Sequence, residues 1–228
     1  MAVFVVATIK SWNLAYAEKL KEKYPQHEFI IVSSKEQLKE LPLEDIQPKY
    51  IFFPHWSWII PETIHTKYSC VVFHMTDLPF GRGGSPLQNL LLRGIYQTKI
   101  SAIRVAKELD GGEIYLKEDL DISTGSADDI LKRAAKIVFE KMIPAFIEKK
   151  LNALPQQGKP VFFNRRKPEQ SCIPFGLSSR QLYDYIRMLD GEGYPTAYLQ
   201  TEHGKVYLRN ASFQNGKVMA ELEYEEIR

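Results

Sequence analysis

The chain has 228 residues with 30 basic against 28 acidic side chains. That length suits one domain of ordinary size with at most a small appendage, burying about 70% or more of its unfolded surface without a metal or disulfide staple. The near-balance of charge argues against a large nucleic-acid surface, and no apolar run reaches the roughly 18 residues that cross a membrane.

The opening residues MAVFVVATI are apolar but short, with no basic start and no small-residue cleavage site. They read as a strand, not a signal peptide. Cys70 and Cys172 build no disulfide framework and read as reduced thiols of a cytoplasmic protein. Residues 3–9 form the first expected strand. A helix over residues 13–23 follows, with Leu14, Ala17 and Leu20 on one face. Strands are expected at 29–32, 50–53 and 70–73. A helix then runs from Pro86 to Leu92, with proline in its first turn and Ser85 as its cap. Two further strands flank ELDGGEI, where Asp-Gly is a strong turn signal. A long helix, 127–151, starts after the capping residue Ser126.

The composition shifts at PQQGKP, residues 155–160, which reads as a linker. The pattern divides the chain into a core over 1–154, an extended segment over 155–177, and a small α+β piece over 178–228. That last piece opens with a helix capped by Ser178 and Gln181. It ends in a three-stranded antiparallel meander, TAYLQT, KVYLRNASF and KVMAELEY, whose second turn carries Asn215-Gly216. The alternation of short apolar runs with amphipathic segments predicts an α/β, Rossmann-like core with a mainly parallel twisted sheet.

In open α/β sheets, ligands sit beyond the carboxyl ends of the strands. Three such exits carry unusual residues: Lys10, Ser11, Trp12 and Asn13 after the first strand; PHWSWIIP after the third; His74 and a glycine-rich loop after the fourth. If the sheet forms as read, these loops converge on one crevice. Each feature has a bland reading as well. His74 serves equally as a histidine bonded to backbone at a strand end, Trp56 and Trp58 as packing, and Asp110 as an ordinary hairpin residue. The run FGRGGSP matches neither a dinucleotide fingerprint nor a phosphate loop.

Taken together, the order of the residues is informative. His74, Thr76, Leu78, Pro79, Arg82 and Gly83, with an LDGG turn placing Asp110 36 residues after the histidine, resemble the folate-dependent formyltransferases. The likeness covers about residues 49–151. It implies transfer of a formyl group from N10-formyltetrahydrofolate to an amine, with no metal. It also implies that His74 and Asp110 handle protons, with Thr76 beside them. Trp58, Ile59 and Ile60 match the segment that receives the pterin ring, joined by Asp110 and Gly111. Lys10, Trp12, Asn13, His55, Trp56, Arg82 and Gly83 fall on the acceptor side. The family asparagine two residues before the histidine is Val72 here, which donates no hydrogen bond. Losing one oxyanion donor from an unchanged site costs about 10²–10³ in rate, so a folate-binding pseudoenzyme is the non-catalytic alternative.

The tail and KSWN are most similar to the sugar-modifying branch, and within it to the N-formyltransferases of pseudaminic-acid biosynthesis. This implies a nucleotide-linked amino sugar as acceptor, UDP-linked and 4-amino-6-deoxy. Methionyl-tRNA and glycinamide ribonucleotide are the rival acceptors. The acidic stretch AELEYEEIR speaks against a phosphate track on the last strand, so neither a nucleic-acid nor a membrane partner is expected. The meander is free to pack on the core, cover the acceptor or pair in a homodimer.

Overall fold

The computed structural model describes residues 1–226. In chain order the elements are β1 (Val3–Ala7), α1 (Ser11–Lys23), β2 (Glu28–Val32), α2 (Lys35–Glu40), α3 (Leu43–Ile46), β3 (Tyr50–Phe53), α4 (Glu62–His65), β4 (Cys70–His74), β5 (Phe80–Gly83), α5 (Pro86–Leu91), β6 (Gln97–Arg104) and β7 (Ile114–Asp121). They continue with α6 (Ala127–Ile137), α7 (Ile143–Glu148), β8 (Val161–Phe163), α8 (Ser179–Arg187), β9 (Ala197–Gln200), β10 (Gly204–Gln214) and β11 (Lys217–Glu226). The chain groups into two compact units. One comprises Met1–Arg82, Lys99–Asp119 and Lys132–Val161; the other comprises Gly83–Thr98, Leu120–Leu131 and the chain from Phe162 onward.

The first unit is built on a six-stranded sheet of order β2-β1-β3-β4-β6-β7. β2, β1, β3 and β4 run parallel, in register Val5↔Ile30, Val5↔Ile51 and Phe53↔Val72, and β6 turns antiparallel to β4 with His74↔Ser101. Near-continuous apolar strands suit a sheet covered on both faces. Val5, Ala7, Ile51, Phe53 and Cys70 pack with Val32, Leu38, Leu43, Ile60 and Ile64 in one buried cluster. Alternate residues Phe4 and Phe52 are equally buried. Their rings stack at 6.0 Å, and Phe52 meets Phe146 of α7 edge-on at 5.4 Å.

The expected helix over 127–151 divides. A wider π turn, Val138–Met142, separates α6 from α7. Pro144, in the first turn of α7, removes one helical N–H, and the π turn before it absorbs the mismatch. The glycine-rich stretch also differs from expectation, since it contains β5.

In the second unit, β9, β10 and β11 form an antiparallel sheet of order β11-β10-β9. Helix α8 lies against it, with Tyr183 stacked on Phe213 at 5.8 Å. Ser178 caps α8 as expected, accepting from Gln181 N–H at 3.3 Å while the Gln181 side chain accepts from Ser178 N–H at 3.0 Å. Ser85 does not cap α5. It takes a left-handed conformation (φ 53°), and its hydroxyl accepts from Arg166 N–H at 3.1 Å instead. Arg187, 1% exposed, donates to Asp184 (2.7 Å) and to the carbonyls of Ile122 (2.9 Å) and Gly125 (3.0 Å). It thereby ties the 122–125 loop to α8.

Candidate active site

The candidate residues lie where β1, β3 and β4 end side by side. The first two exits are riveted internally. Thr8 Oγ1 donates to Pro54 O (2.6 Å), and Asn13 Nδ2 donates to Thr8 Oγ1 (2.9 Å) and Pro54 O (3.4 Å). Both polar side chains are fully buried. Asn13, expected on the acceptor side, therefore fixes one strand end against the other. Lys10 and Lys132 bring their ammonium groups to 5.2 and 5.4 Å from the Trp12 ring, a cation–π arrangement.

After β3, His55 adopts φ 55°, and Trp56 meets Trp58 edge to face at 4.8 Å. Trp56 packs on the core cluster, and Ile60 belongs to it. Ile59 is 94% exposed and Trp58 is partly exposed. A flat ring with hydrogen-bonding edges fits such a segment, where apolar side chains and irregular backbone are offered together. Of the three residues expected to receive the pterin, Trp58 and Ile59 are accessible and Ile60 is not.

The β4 exit holds the central pair. His74 Nε2 lies 2.7 Å from Gly81 O. A carbonyl only accepts, so we assign the ring proton to Nε2. Nδ1 then points its lone pair toward Asp110 Oδ2, 3.6 Å away. Both side chains are mostly shielded, at 10% and 15% exposed, so attraction between an imidazolium and this carboxylate is weakly screened. A nitrogen with a free lone pair, oriented from behind and facing a carboxylate in front, can take a proton from an attacking amine and hold it.

Thr76 stands differently from expectation. It is fully buried, its hydroxyl donates to Gly81 O at 3.4 Å, and its carbonyl accepts from Ser101 Oγ at 2.7 Å. It supports the backbone that orients His74. Val72 is half-buried in β4, paired with Phe53 and Ile103, and offers no donor. The indole N–H groups of Trp12 and Trp56 are buried without a hydrogen-bond acceptor among the described residues.

Asp110 sits at φ 50° in the turn between β6 and β7. The two residues that follow it leave no room for a Cβ. A Cβ on Gly111 would come within 2.5 Å of Glu108 Oε2, and one on Gly112 within 1.7 Å of Arg104 O. Arg82, expected to meet the acceptor, is instead a buried support for this turn. Its Nη1 donates to Glu108 (2.7 Å), and its Nε and Nη2 donate to Gln156 Oε1 (3.1 and 2.8 Å). Gln156 in turn donates to the carbonyls of Asp110 (2.7 Å) and Gly112 (2.8 Å). Sequence reasoning left Gln156 in a linker. Gly83, also expected near the acceptor, belongs to the second unit, where at φ 106° it packs so closely on Phe163 that a Cβ would lie 2.3 Å from its carbonyl oxygen. Burial pushes the Cys70 thiol up to about 12, which excludes it as a nucleophile at neutral pH.

Comparison with known proteins agrees with the sequence motif. Residues 168–225 match the family model described as methionyl-tRNA formyltransferase, C-terminal domain. The chain is 30% identical over 160 residues to a methionyl-tRNA formyltransferase of Bacillus cytotoxicus, covering 67% of this chain and 50% of that one. It thus spans about half the length of the curated relatives it matches. A structure titled methionyl-tRNA formyltransferase from Clostridium thermocellum superposes with a TM-score of 0.95 at 48% identity, covering 99% of this chain and 100% of that one. HypX from Aquifex aeolicus, solved with tetrahydrofolic acid, shares the fold at TM-score 0.73 and 16% identity, over 95% of this chain and 40% of that one. The expected partners need correction on this basis. A nucleotide-linked amino sugar, with nucleic acid excluded, conflicts with relatives that are named for a transfer-RNA substrate. The acidity of one strand was too local a property to exclude a phosphate-bearing acceptor.

Proposed function

The chain belongs to the formyltransferase family, and from that premise we propose that it transfers the formyl group of N10-formyltetrahydrofolate to the amino group of methionyl-tRNA. The observation that carries the reading is the pairing of His74 Nδ1 with Asp110 at 3.6 Å while Nε2 is held by the Gly81 carbonyl. Folate supplies the activated one-carbon group when bound, and Trp58 with Ile59 is the surface offered to its ring. The amine nitrogen forms the new C–N bond and the bond from formyl carbon to N10 breaks. One proton passes from the attacking nitrogen to the leaving nitrogen by way of His74 Nδ1. Asp110 stabilises the imidazolium between the two transfers.

The choice of acceptor is supported by the 48% identity to the Clostridium thermocellum protein over nearly the whole chain. The pseudoenzyme alternative rests on Val72. Against it stands an intact His74–Asp110 pair with its supporting network in place. The cytoplasm is the compartment proposed, in keeping with two free cysteines.

The test is turnover. Formyl-folate is offered with methionyl-tRNA, and formylated product is read by mass. His74→Asn is expected to lower kcat by about 10²–10⁴-fold, the usual contribution of a positioned proton-transfer group. A wild-type rate no faster than that of His74→Asn ends the proposal. Transfer to other amines but not to methionyl-tRNA ends the choice of acceptor alone.

A further inference from the structure

We propose that Gln156 is a positioning residue that sets the carboxylate of Asp110 against His74, an inference that rests on the roles given to that pair above. Its amide is used at both ends. Two carbonyls, those of Asp110 and Gly112, converge on the single Nε2 at 2.7 and 2.8 Å. Two carbonyl dipoles aimed at one point repel unless a group with two N–H bonds lies between them, and a primary amide is such a group. The opposite end accepts twice from the Arg82 fork, at 3.1 and 2.8 Å, which fixes which end of the amide faces the turn.

The lock has something to hold. Asp110 sits at φ 50°, a region that a non-glycine residue occupies under strain and keeps only when its surroundings over-determine it. Gln156 supplies that constraint from a segment that is itself anchored. Leu154 and Ile114 exchange backbone bonds of 2.8 and 2.9 Å, and Val161 N–H donates to Pro79 O at 3.1 Å. The stretch between them is therefore strapped across the back of the Asp110 turn.

The experiment uses Gln156→Leu, Gln156→Glu, Asp110→Asn and the double variant Gln156→Leu/Asp110→Asn. Glutamate keeps the bond to Arg82 and loses both donors. Each Gln156 variant should lower kcat by about 10–100-fold, the scale of a misplacement near 1 Å, with KM for either substrate changed less than about threefold. The double variant should fall no more than about threefold below Asp110→Asn alone, because the glutamine acts through the aspartate. In parallel, the NMR signals of the His74 ring at one fixed pH should change in Gln156→Leu as they do in Asp110→Asn. Unchanged kcat, multiplying losses in the double variant, or His74 ring signals untouched by Gln156→Leu would each overturn the proposal. Absence of wild-type turnover sinks the formyl-transfer reading, and the NMR comparison then decides the positional claim by itself. If the leucine variant fails to fold, the glutamate variant takes its place in every arm.

Discussion

Replacing Gly112 with alanine tests the site through a single methyl group. An ideal Cβ there would lie 1.7 Å from Arg104 O, and real Cβ contacts essentially never fall below 3.0 Å, so the β6–β7 turn must open by more than about 1 Å. Gly112 does not have positive φ, so the effect is displacement and not dihedral strain. The opening breaks two bonds that the turn depends on, Arg104 N–H to Glu113 O at 2.9 Å and Gln156 Nε2 to Gly112 O at 2.8 Å. At about 0.5–1.5 kcal/mol each, stability falls by about 1–3 kcal/mol. For a chain of this size that lowers Tm by roughly 2–4 °C per kcal/mol. Asp110, two residues away, moves with the turn, and a shift of this size costs about 10² in rate. Single-turnover formylation with saturating substrates, beside a thermal melt, reads both effects. A variant that keeps the wild-type rate within threefold would refute the dependence of chemistry on turn position.

Other expectations follow from burial. Arg187→Met leaves the buried Asp184 with Arg180 (3.2 Å) and Tyr96 (2.7 Å) but without its shorter arginine contact, and should destabilise the protein by about 3–5 kcal/mol in urea unfolding; a loss under 1 kcal/mol would contradict it. Cys70 ionises in the unfolded chain near 9 and in the folded chain only near 12. Its folded value is raised, so its contribution is complete below pH 9 and lost as pH climbs toward 12, at most about 1.4 kcal/mol per unit. Denaturation curves between pH 8 and 11 should therefore slope less in Cys70→Ala than in wild type, and equal slopes would rule the thiol out. In the native protein, alkylation should reach Cys172 before Cys70.

The sheet was legible because its strands are short apolar runs, such as VFVVA and YIFF, separated by polar helices. The cap at Ser178 and the turn at Asn215-Gly216 were legible because their causes lie within four residues. The His74–Asp110 pair was legible only through motif order, since nothing local links two residues 36 positions apart. Thr76, Asn13 and Arg82 make internal contacts that their sequence positions do not reveal, for one common reason. A polar residue near a site looks the same in sequence whether it faces a ligand or satisfies a buried carbonyl. Gln156 was missed for the converse reason: its partners, Arg82, Asp110 and Gly112, lie 44 to 74 residues away, and its immediate neighbours are proline, glutamine and glycine. The π turn at Val138–Met142 carries no periodic signature, and only Pro144 hints at it.

His74 is steadied from behind by a main-chain oxygen, that of Gly81. No codon change at position 81 deletes that atom, so the ring's proton arrangement is protected against loss of its acceptor. The vulnerability moves to the peptide's path, which at φ 81° only glycine follows without strain. Random mutagenesis at this position should therefore uncover distorted chains, while the chemical partner itself persists in every variant that folds.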